Sequence, residues 1–348
     1  MKETALNERE RSVLEAVIRT YVETAEPAGS RTVAKRYGLG VSPATVRNAM
    51  SDLEEKGYLY HPHTSAGRIP TDQAYRYYVD TLMQPLRLSV SEQRRVRREL
   101  READSDSGAL AQLVRHAAQV LGLLTGDLGL AVAPKLEVAV LEKIETAMVS
   151  SEKVLLVLTL RGGVVRTVYV DLPVSVPAET LAAVTLVLNE RMAGQTLSEL
   201  RATLPERLRD AGAEGEGSRE LLNIVLQSAD ELLEPTPPDQ VVLGHASVLA
   251  TQPEFAESER LRGLLELTEQ RQLLHQVLAS REHEVAPFIT IGSEHGHPRL
   301  SSFTLVTSRY RMGNLTGVVG VLGPTRMPYE KVAAIVEYTS RLMGELAT

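Results

Sequence analysis

The sequence contains neither cysteine nor tryptophan, and only 3 of its 348 residues are phenylalanine. Without cysteine, a disulfide framework, a thiolate metal site and a cysteine nucleophile are all excluded. No run of about 18 apolar residues occurs, so a membrane span is not expected, and the polar first residues predict no secretory signal. Because aromatic residues make up 4% of the chain and hydrophobic residues 43%, we expect mainly aliphatic cores in a cytoplasmic protein.

Charge is distributed unevenly along the chain. The formal net charge of −7, taken alone, argues mildly against a nucleic-acid partner. However, residues 1–80 carry no net charge, residues 81–101 carry +4, and residues 102–348 carry −11. Seven of the eleven tyrosines also lie between Tyr21 and Tyr78. The first quarter of the chain is therefore predicted to be a separate module with its own composition.

This first module, residues 1–84, is predicted to combine helices with one short hairpin. Asn7 and Glu10 have the spacing of a capping box, Ser30 is expected to cap a second helix, and Ser42 is expected to cap a third. A β-hairpin with a small polar loop is predicted after the third helix. The apolar periodicity predicts helices over residues 7–23, 31–37, 43–56 and from 72 onward. This order is the layout of a winged helix-turn-helix DNA-binding domain.

The third helix is predicted to present two different faces. The apolar face is expected to be buried and consists of Val46, Ala49, Met50 and Leu53. The opposite face can read DNA, because arginine pairs with guanine, asparagine pairs with adenine, and small side chains contact the thymine methyl group. The predicted base contacts are Ala44, Thr45, Arg47, Asn48 and Ser51. Ser30, Ser42 and the helix N-terminus can bind phosphate, and Arg31 and Pro43 are further predicted DNA contacts.

The hairpin loop supplies the remaining predicted DNA contacts, which are His63, Ser65 and Arg68. A small, polar and basic loop tip can approach the minor groove or the phosphate backbone closely. Two plainer interpretations stay open. The helical pair can be an ordinary solvated part of a structural domain, and His63 can be a structural turn residue.

An arginine-rich connector is predicted over residues 85–106. Its basic run consists of Arg87, Arg94, Arg95, Arg97, Arg98 and Arg101. This run can follow phosphates beside the hairpin, or it can be an exposed linker helix.

Two groups of strands bracket a long helical block in the rest of the chain. The first group is predicted over 137–150, 153–160 and 164–171, and the second over 301–309 and 315–322. The strand groups can form one α+β domain interrupted by an insertion, or two domains in tandem. Apolar stripes in the helical block, such as Leu264, Leu265, Leu274 and Leu278, can form a dimer interface or an internal core.

Enzymatic interpretations find little support in the sequence. His295 and His297 resemble metal ligands in kind, but their spacing matches no defined metal site. The segment from Gly320 to Arg326 precedes a helix but lacks the Gly-Lys-Ser/Thr ending of a phosphate loop. We therefore expect no catalytic residue, no cofactor and no metal, and we predict that the protein is not an enzyme.

The segment from Ser42 to Glu54, followed by His63-Thr-Ser-Ala-Gly-Arg68-Ile-Pro-Thr71, closely resembles the heat-inducible transcription repressor HrcA family. Two later stretches agree with this resemblance, Gln252-Pro-Glu-Phe255 and Gly323-Pro-Thr-Arg-Met-Pro-Tyr329. The resemblance covers essentially the whole chain in the same order.

The resemblance implies a fold and a function. The implied fold is an N-terminal winged helix, then a GAF-like α+β domain over 107–175 and 287–348, interrupted at 176–286 by an inserted, mainly helical dimerisation domain. The implied function is repression of heat-shock chaperone operons by a homodimer that binds an inverted-repeat operator, with activity dependent on a GroE-type chaperonin. The protein is then expected in the cytoplasm, at the nucleoid when bound to DNA. The alternative is a winged-helix regulator whose GAF-like domain senses a small metabolite.

Overall fold

The computed structural model describes residues 6–62, 67–101, 110–173, 175–209, 216–233, 241–282, 284 and 287–346. The chain is a mixed α+β protein in which helices predominate. Within the described ranges, no helix is long and apolar enough to cross a membrane.

The N-terminal unit, residues 6–82, consists of helices around a small aliphatic core. Its elements are α1 (Glu8–Thr24), α2 (Ser30–Arg36), α3 (Pro43–Glu55), β1 (Leu59–Tyr60), β2 (Ile69–Pro70) and α4 (Asp72–Tyr77), which continues as a π-helical turn (Tyr78–Leu82). The predicted capping box is confirmed, since Asn7 and Glu10 exchange side-chain and backbone hydrogen bonds. The predicted cap by Ser30 is wrong, because Ser30 is already helical and Gly29 precedes the helix without a side-chain cap.

The core of the remaining chain is an antiparallel, five-stranded central sheet. Its strands, in the order in which they pair, are β7 (Val241–Leu243), β3 (Leu128–Val132), β10 (Leu315–Pro324), β9 (Phe303–Met312) and β8 (Phe288–Ile291). Alternate residues of β3 point to opposite faces. One face packs on α6 (Leu110–Thr125) and α14 (Tyr329–Leu346), and the other packs on α12 (Ser258–Glu269) and α13 (Arg271–Ala279).

A second, small sheet lies apart from the central sheet. Its antiparallel strands, in order, are β4 (Leu141–Ser150), β5 (Lys153–Leu160) and β6 (Val165–Asp171). One face of this sheet packs against α7 (Ala178–Met192). The helices α8 (Leu197–Arg209), α9 (Glu216–Gln227) and α10 (Ala229–Leu232) pack around α7 and against one another. A short α11 (Ser247–Ala250) precedes α12, and α5 (Val90–Arg101) joins the N-terminal unit to the core.

The sheet topology differs from the sequence expectation. The strands of 137–171 do not join those of 301–322, because β10 pairs with β3 on one side and β9 on the other. The sequence offered no sign of β3, because all five of its residues are buried and the alternation of a half-solvated strand is absent. The chain therefore leaves the central sheet after β3 and returns to it at β7. The segment that interrupts the sheet lies between these two strands, and not at the predicted residues 176–286.

The helical stripes near residue 270 belong to the protein interior. The helix expected over 257–280 is two helices, which meet at Gln270. Leu264, Leu274 and Leu278 are buried against the central sheet, whereas Leu265 is half exposed. Of the two interpretations of these stripes, the internal core is therefore correct for these three leucines.

Candidate nucleic-acid interface

Helix α3 has the two faces that its sequence predicts. Val46, Ala49, Met50 and Leu53 are buried. Four of the predicted base-contacting residues are exposed, namely Ala44, Arg47, Asn48 and Ser51, while Thr45 is partly buried. The hydroxyl of Ser42 accepts a hydrogen bond from the Thr45 amide at 3.1 Å, and Pro43 occupies the first helical turn. This cap fixes the start of α3 and leaves its polar face open to a partner.

A concave cleft of about 520 Å³ lies beside this face. It is formed where the start of α2, the start of α3 and the base of the hairpin meet. Its lining residues are Ala28, Gly29, Ser30, Arg31, Pro43, Ala44, Arg47, Met50, Gly67 and Arg68. Six of the twelve predicted DNA contacts are among them. The fold therefore brings together residues that lie up to 38 positions apart in the sequence.

The return of the hairpin is held close to the segment before α2. Ala28 and Arg68 pair through two backbone hydrogen bonds of 2.8 and 3.0 Å. A Cβ atom at Gly67 would lie 2.5 Å from the backbone of Ala28, so only glycine permits this approach. Sequence reasoning did not single out Gly67, although a glycine in the Ala-Gly-Arg motif is the signal that could have indicated this contact. The predicted contacts His63 and Ser65 lie outside the described residues.

Arg68 is less exposed than a loop-tip arginine is expected to be. Its guanidinium forms an ion pair with Glu54 of α3 at 2.8 Å, and only 16% of its side chain is exposed. Glu54 also contacts the His61 ring at 2.5 Å. The Nε atom of Arg68 has no hydrogen-bond partner among the described residues. Sequence reasoning missed Glu54, which ties the hairpin to α3.

The N-terminal unit is joined to the core by a loop that follows β8. The Ser293 amide donates a hydrogen bond to Asp72 of α4 at 2.9 Å. Arg76 donates two hydrogen bonds to Glu294, of 2.7 and 2.5 Å, and a third to the Ile289 carbonyl. Burial alone would raise the pKa of Glu294, but the hydrogen bonds from Arg76 and from the Ile291 amide outweigh it and lower the pKa. Because charge-assisted, bidentate pairs are strong and directional, this link sets the orientation of the unit.

A second link between the N-terminal unit and the core is formed by the two later family motifs, residues 252–255 and 323–329. Arg326 forms an ion pair with Glu254 and donates a hydrogen bond to the Val22 carbonyl at the end of α1. Beside this pair, Asp127 is buried, and its Oδ2 atom has no partner in the described part of the chain. Burial raises the pKa of Asp127 to about 7. Sequence reasoning missed Asp127, because nothing in its neighbourhood along the chain predicts burial.

Among the described residues, no group of three histidine, aspartate or glutamate side chains is placed to hold a metal ion. Arg31 and Arg47 are exposed at the cleft, and neither forms an ion pair within the described ranges.

Relatives with known names match nearly the whole length of this chain. The family model described as "HrcA protein C terminal domain" matches residues 111–333. A heat-inducible transcription repressor HrcA from Chlorobium phaeobacteroides (strain BS1) is 38% identical over 342 residues, which are 96% of each chain. One from Pelotomaculum thermopropionicum is 34% identical over 342 residues, 98% of this chain and 97% of that one. A solved structure described as a hypothetical protein has 22% identity and a TM-score of 0.67 over 99% of each chain, which supports the fold alone.

These relatives define the class of the protein, which is a transcription repressor. More specifically, the chain belongs to the heat-inducible transcription repressor HrcA family.

Proposed function

We propose that this repressor binds the operators of heat-shock chaperone operons through its N-terminal unit, which acts as a winged helix-turn-helix. Helix α3 enters the major groove, where Arg47, Asn48 and Ser51 meet base edges. The hairpin β1–β2 acts as the wing. The observation that carries this proposal is the exposed polar face of α3 beside the cleft that Arg31, Arg47 and Arg68 line.

Replacing Arg47 by alanine is expected to weaken operator binding by about 1–3 kcal/mol and to relax the sequence preference, since a bidentate arginine contact carries that much discrimination. The measurement is a titration of operator DNA and scrambled DNA at one salt concentration. Arg262→Ala, at an exposed position on α12, is the matched control and should leave both affinities unchanged. Unchanged operator affinity in Arg47→Ala would contradict the role of α3.

The ion pair between Glu54 and Arg68 allows a direct test of the wing. Arg68→Ala should lower the slope of log affinity against log salt by about 0.9, the value for one lost phosphate contact. Glu54→Gln leaves the cation in place and removes a negative charge beside it, so operator affinity should be retained or increased. If Glu54→Gln weakens binding as much as Arg68→Ala does, Arg68 shapes the hairpin and does not contact phosphate.

The inverted repeat of the proposed operator requires a two-fold symmetric dimer. The small sheet has one face that no described element covers. Its outward residues include Leu155, Val157, Val165 and Tyr169, and Tyr169 is 57% exposed. The solvated face of an antiparallel sheet is commonly polar, whereas this one combines these four apolar side chains with the polar Lys143, Glu145, Thr159 and Thr167. We propose this face as the dimer surface, within a dimerisation unit that interrupts a GAF-like core.

Tyr169→Glu is therefore expected to shift the protein from dimer to monomer in sedimentation equilibrium, because a charge would be desolvated in the interface. Leu265→Glu is the control, since Leu265 is similarly exposed on α12. A dimer of undiminished strength in Tyr169→Glu would exclude this face.

Dependence on a GroE-type chaperonin is part of the same proposal. A change of 1–2 kcal/mol in folding free energy alters the folded population several-fold, so a repressor of limited stability can report on chaperonin supply. Footprinting upstream of the organism's own chaperone operons, with and without chaperonin, tests this dependence. Equal protection under both conditions would contradict it.

The alternative function, a metabolite sensor, has one observation in its favour. A cleft of about 660 Å³ lies between the end of the N-terminal unit and the core. Its walls include Arg76 and Glu294, which link the two. A small ligand that raises the melting temperature and changes operator affinity would favour the sensor.

A further inference from the structure

Helix α5 carries a basic face that the predicted DNA contacts do not include. Arg94, Arg95, Arg98 and Arg101 are all exposed, and Arg87 is exposed just before the helix. At 100° per residue, the side chains of Arg94, Arg98 and Arg101 fall within about 60° of one another on the helical wheel. Val96 and Leu100, which are buried, lie on the opposite side. Arg94, Arg98 and Arg101 therefore point away from the core as one strip, and Arg95 flanks it, about 60° from Arg98 on the wheel.

Among the described residues, most of these arginines have no acidic partner. Arg87, Arg94, Arg95 and Arg101 form no ion pair within the part of the chain that the structure describes, whereas Arg98 contacts Glu99 at 3.1 Å. An exposed like-charged strip repels itself, so it adds nothing to stability on its own. A polyanion that lies along the strip relieves this repulsion, which favours binding.

Helix α5 is packed against the core through Val96 and Leu100, which are buried. Ser89 and Glu92 exchange hydrogen bonds at the start of α5. Glu92 also pairs with Lys331 at 3.7 Å, and Arg97 pairs with Glu345 at 3.3 Å, so the first turn and the middle of the helix contact α14. The basic face is thus presented at a fixed position relative to the core.

We propose that the basic face of α5 is a second DNA-contacting surface, which binds backbone phosphates that flank the site read by α3. This inference rests on the proposed function. Helix α5 begins eight residues after the N-terminal unit ends at Leu82, so the strip directly follows the proposed DNA reader along the chain.

Other polyanionic partners match the strip less well. A helix that binds a membrane surface must insert its apolar face, and the apolar face of α5 is buried in the core. The position of the strip, directly after the N-terminal unit and before a body of net charge −11, favours DNA over an acidic protein.

The test compares two triple variants with the same change of net charge. R94Q/R95Q/R101Q removes Arg94 and Arg101 of the strip together with the flanking Arg95, and R219Q/R262Q/R299Q removes three exposed arginines elsewhere. Binding is measured by fluorescence anisotropy over a KCl series, on a duplex with the inverted repeat and on a scrambled duplex. Thermal unfolding confirms that both variants are folded.

The strip variant should lower the slope of log affinity against log salt by about 2–3, because each lost phosphate contact removes about 0.9. Both duplexes should lose the same factor, since phosphate contacts carry no sequence information. The control variant should keep the wild-type slope.

Equal slopes for the two triple variants would overturn the proposal, as would a loss confined to the inverted-repeat duplex. An unchanged slope together with loss of chaperonin binding would assign the strip to a protein partner and also overturn it. If the unchanged protein binds neither duplex, the proposed function fails, and this inference fails with it. Normal wild-type binding with no effect of the strip variant would overturn this inference alone.

Discussion

Asp127→Asn is expected to stabilise the protein at pH 8 and to change its stability little at pH 4. Asp127 is 2% exposed, its Oδ1 atom lies 3.3 Å from the Gln252 amide nitrogen, and its Oδ2 atom has no described partner. Burial is the main cause that raises its pKa from 3.8 to about 7, while Gln252, Thr125 and Arg326 act in the opposite direction.

The sign follows from proton binding. Between pH 3.8 and about 7 the folded protein holds this proton and the unfolded chain releases it. The contribution of Asp127 to the free energy of unfolding therefore falls as pH rises through that window. The total loss is at most about 4 kcal/mol, since one pKa unit corresponds to 1.36 kcal/mol. Asparagine cannot ionise, so the variant should not show this loss.

The measurement is urea unfolding of both proteins between pH 4 and pH 8. Asp171→Asn is the control, because the Asp171 side chain is 84% exposed and its replacement should shift stability equally little at all pH values. If the free energy of unfolding changes with pH in the same way for wild type and Asp127→Asn, Asp127 is not buried as an isolated carboxyl group.

Gly129→Ala is expected to destabilise the protein by at least about 3 kcal/mol, at the upper end of ordinary overpacking costs. A Cβ atom at Gly129 would lie 1.7 Å from the Ala118 carbonyl oxygen and 2.9 Å from the Gly122 nitrogen. Both are backbone atoms, so no side-chain rotation can relieve the clash. Helix α6 would have to move away from β3, which would open the core.

Gly263→Ala is the matched control for this substitution. Gly263 lies within α12, where an added Cβ atom would meet nothing within 4 Å. Alanine is favoured over glycine in a helix by up to about 1 kcal/mol, so this variant should be slightly more stable than wild type. Denaturant unfolding measures both variants. A Gly129→Ala protein as stable as wild type would mean that α6 and β3 are not in contact.

Much of the N-terminal unit could be predicted because its signals lie close together in the chain. Asn7 and Glu10 of the capping box lie three positions apart, and the two faces of α3 repeat with each turn. By contrast, the Glu54–Arg68 pair depends on how the hairpin returns, and the Arg76–Glu294 pair joins residues 218 positions apart. No local pattern marks such partners.

The sequence by itself determined the family, the order of the elements in the first module and the face of α3 that carries Arg47 and Asn48. These depend on motifs and on helical periodicity, which act over a few residues. Only the tertiary structure decided that β3 pairs with β10, that Asp127 is buried, and that Arg68 rests against Glu54. The physical reason is that burial and pairing depend on which distant surfaces meet, and that choice belongs to the whole chain.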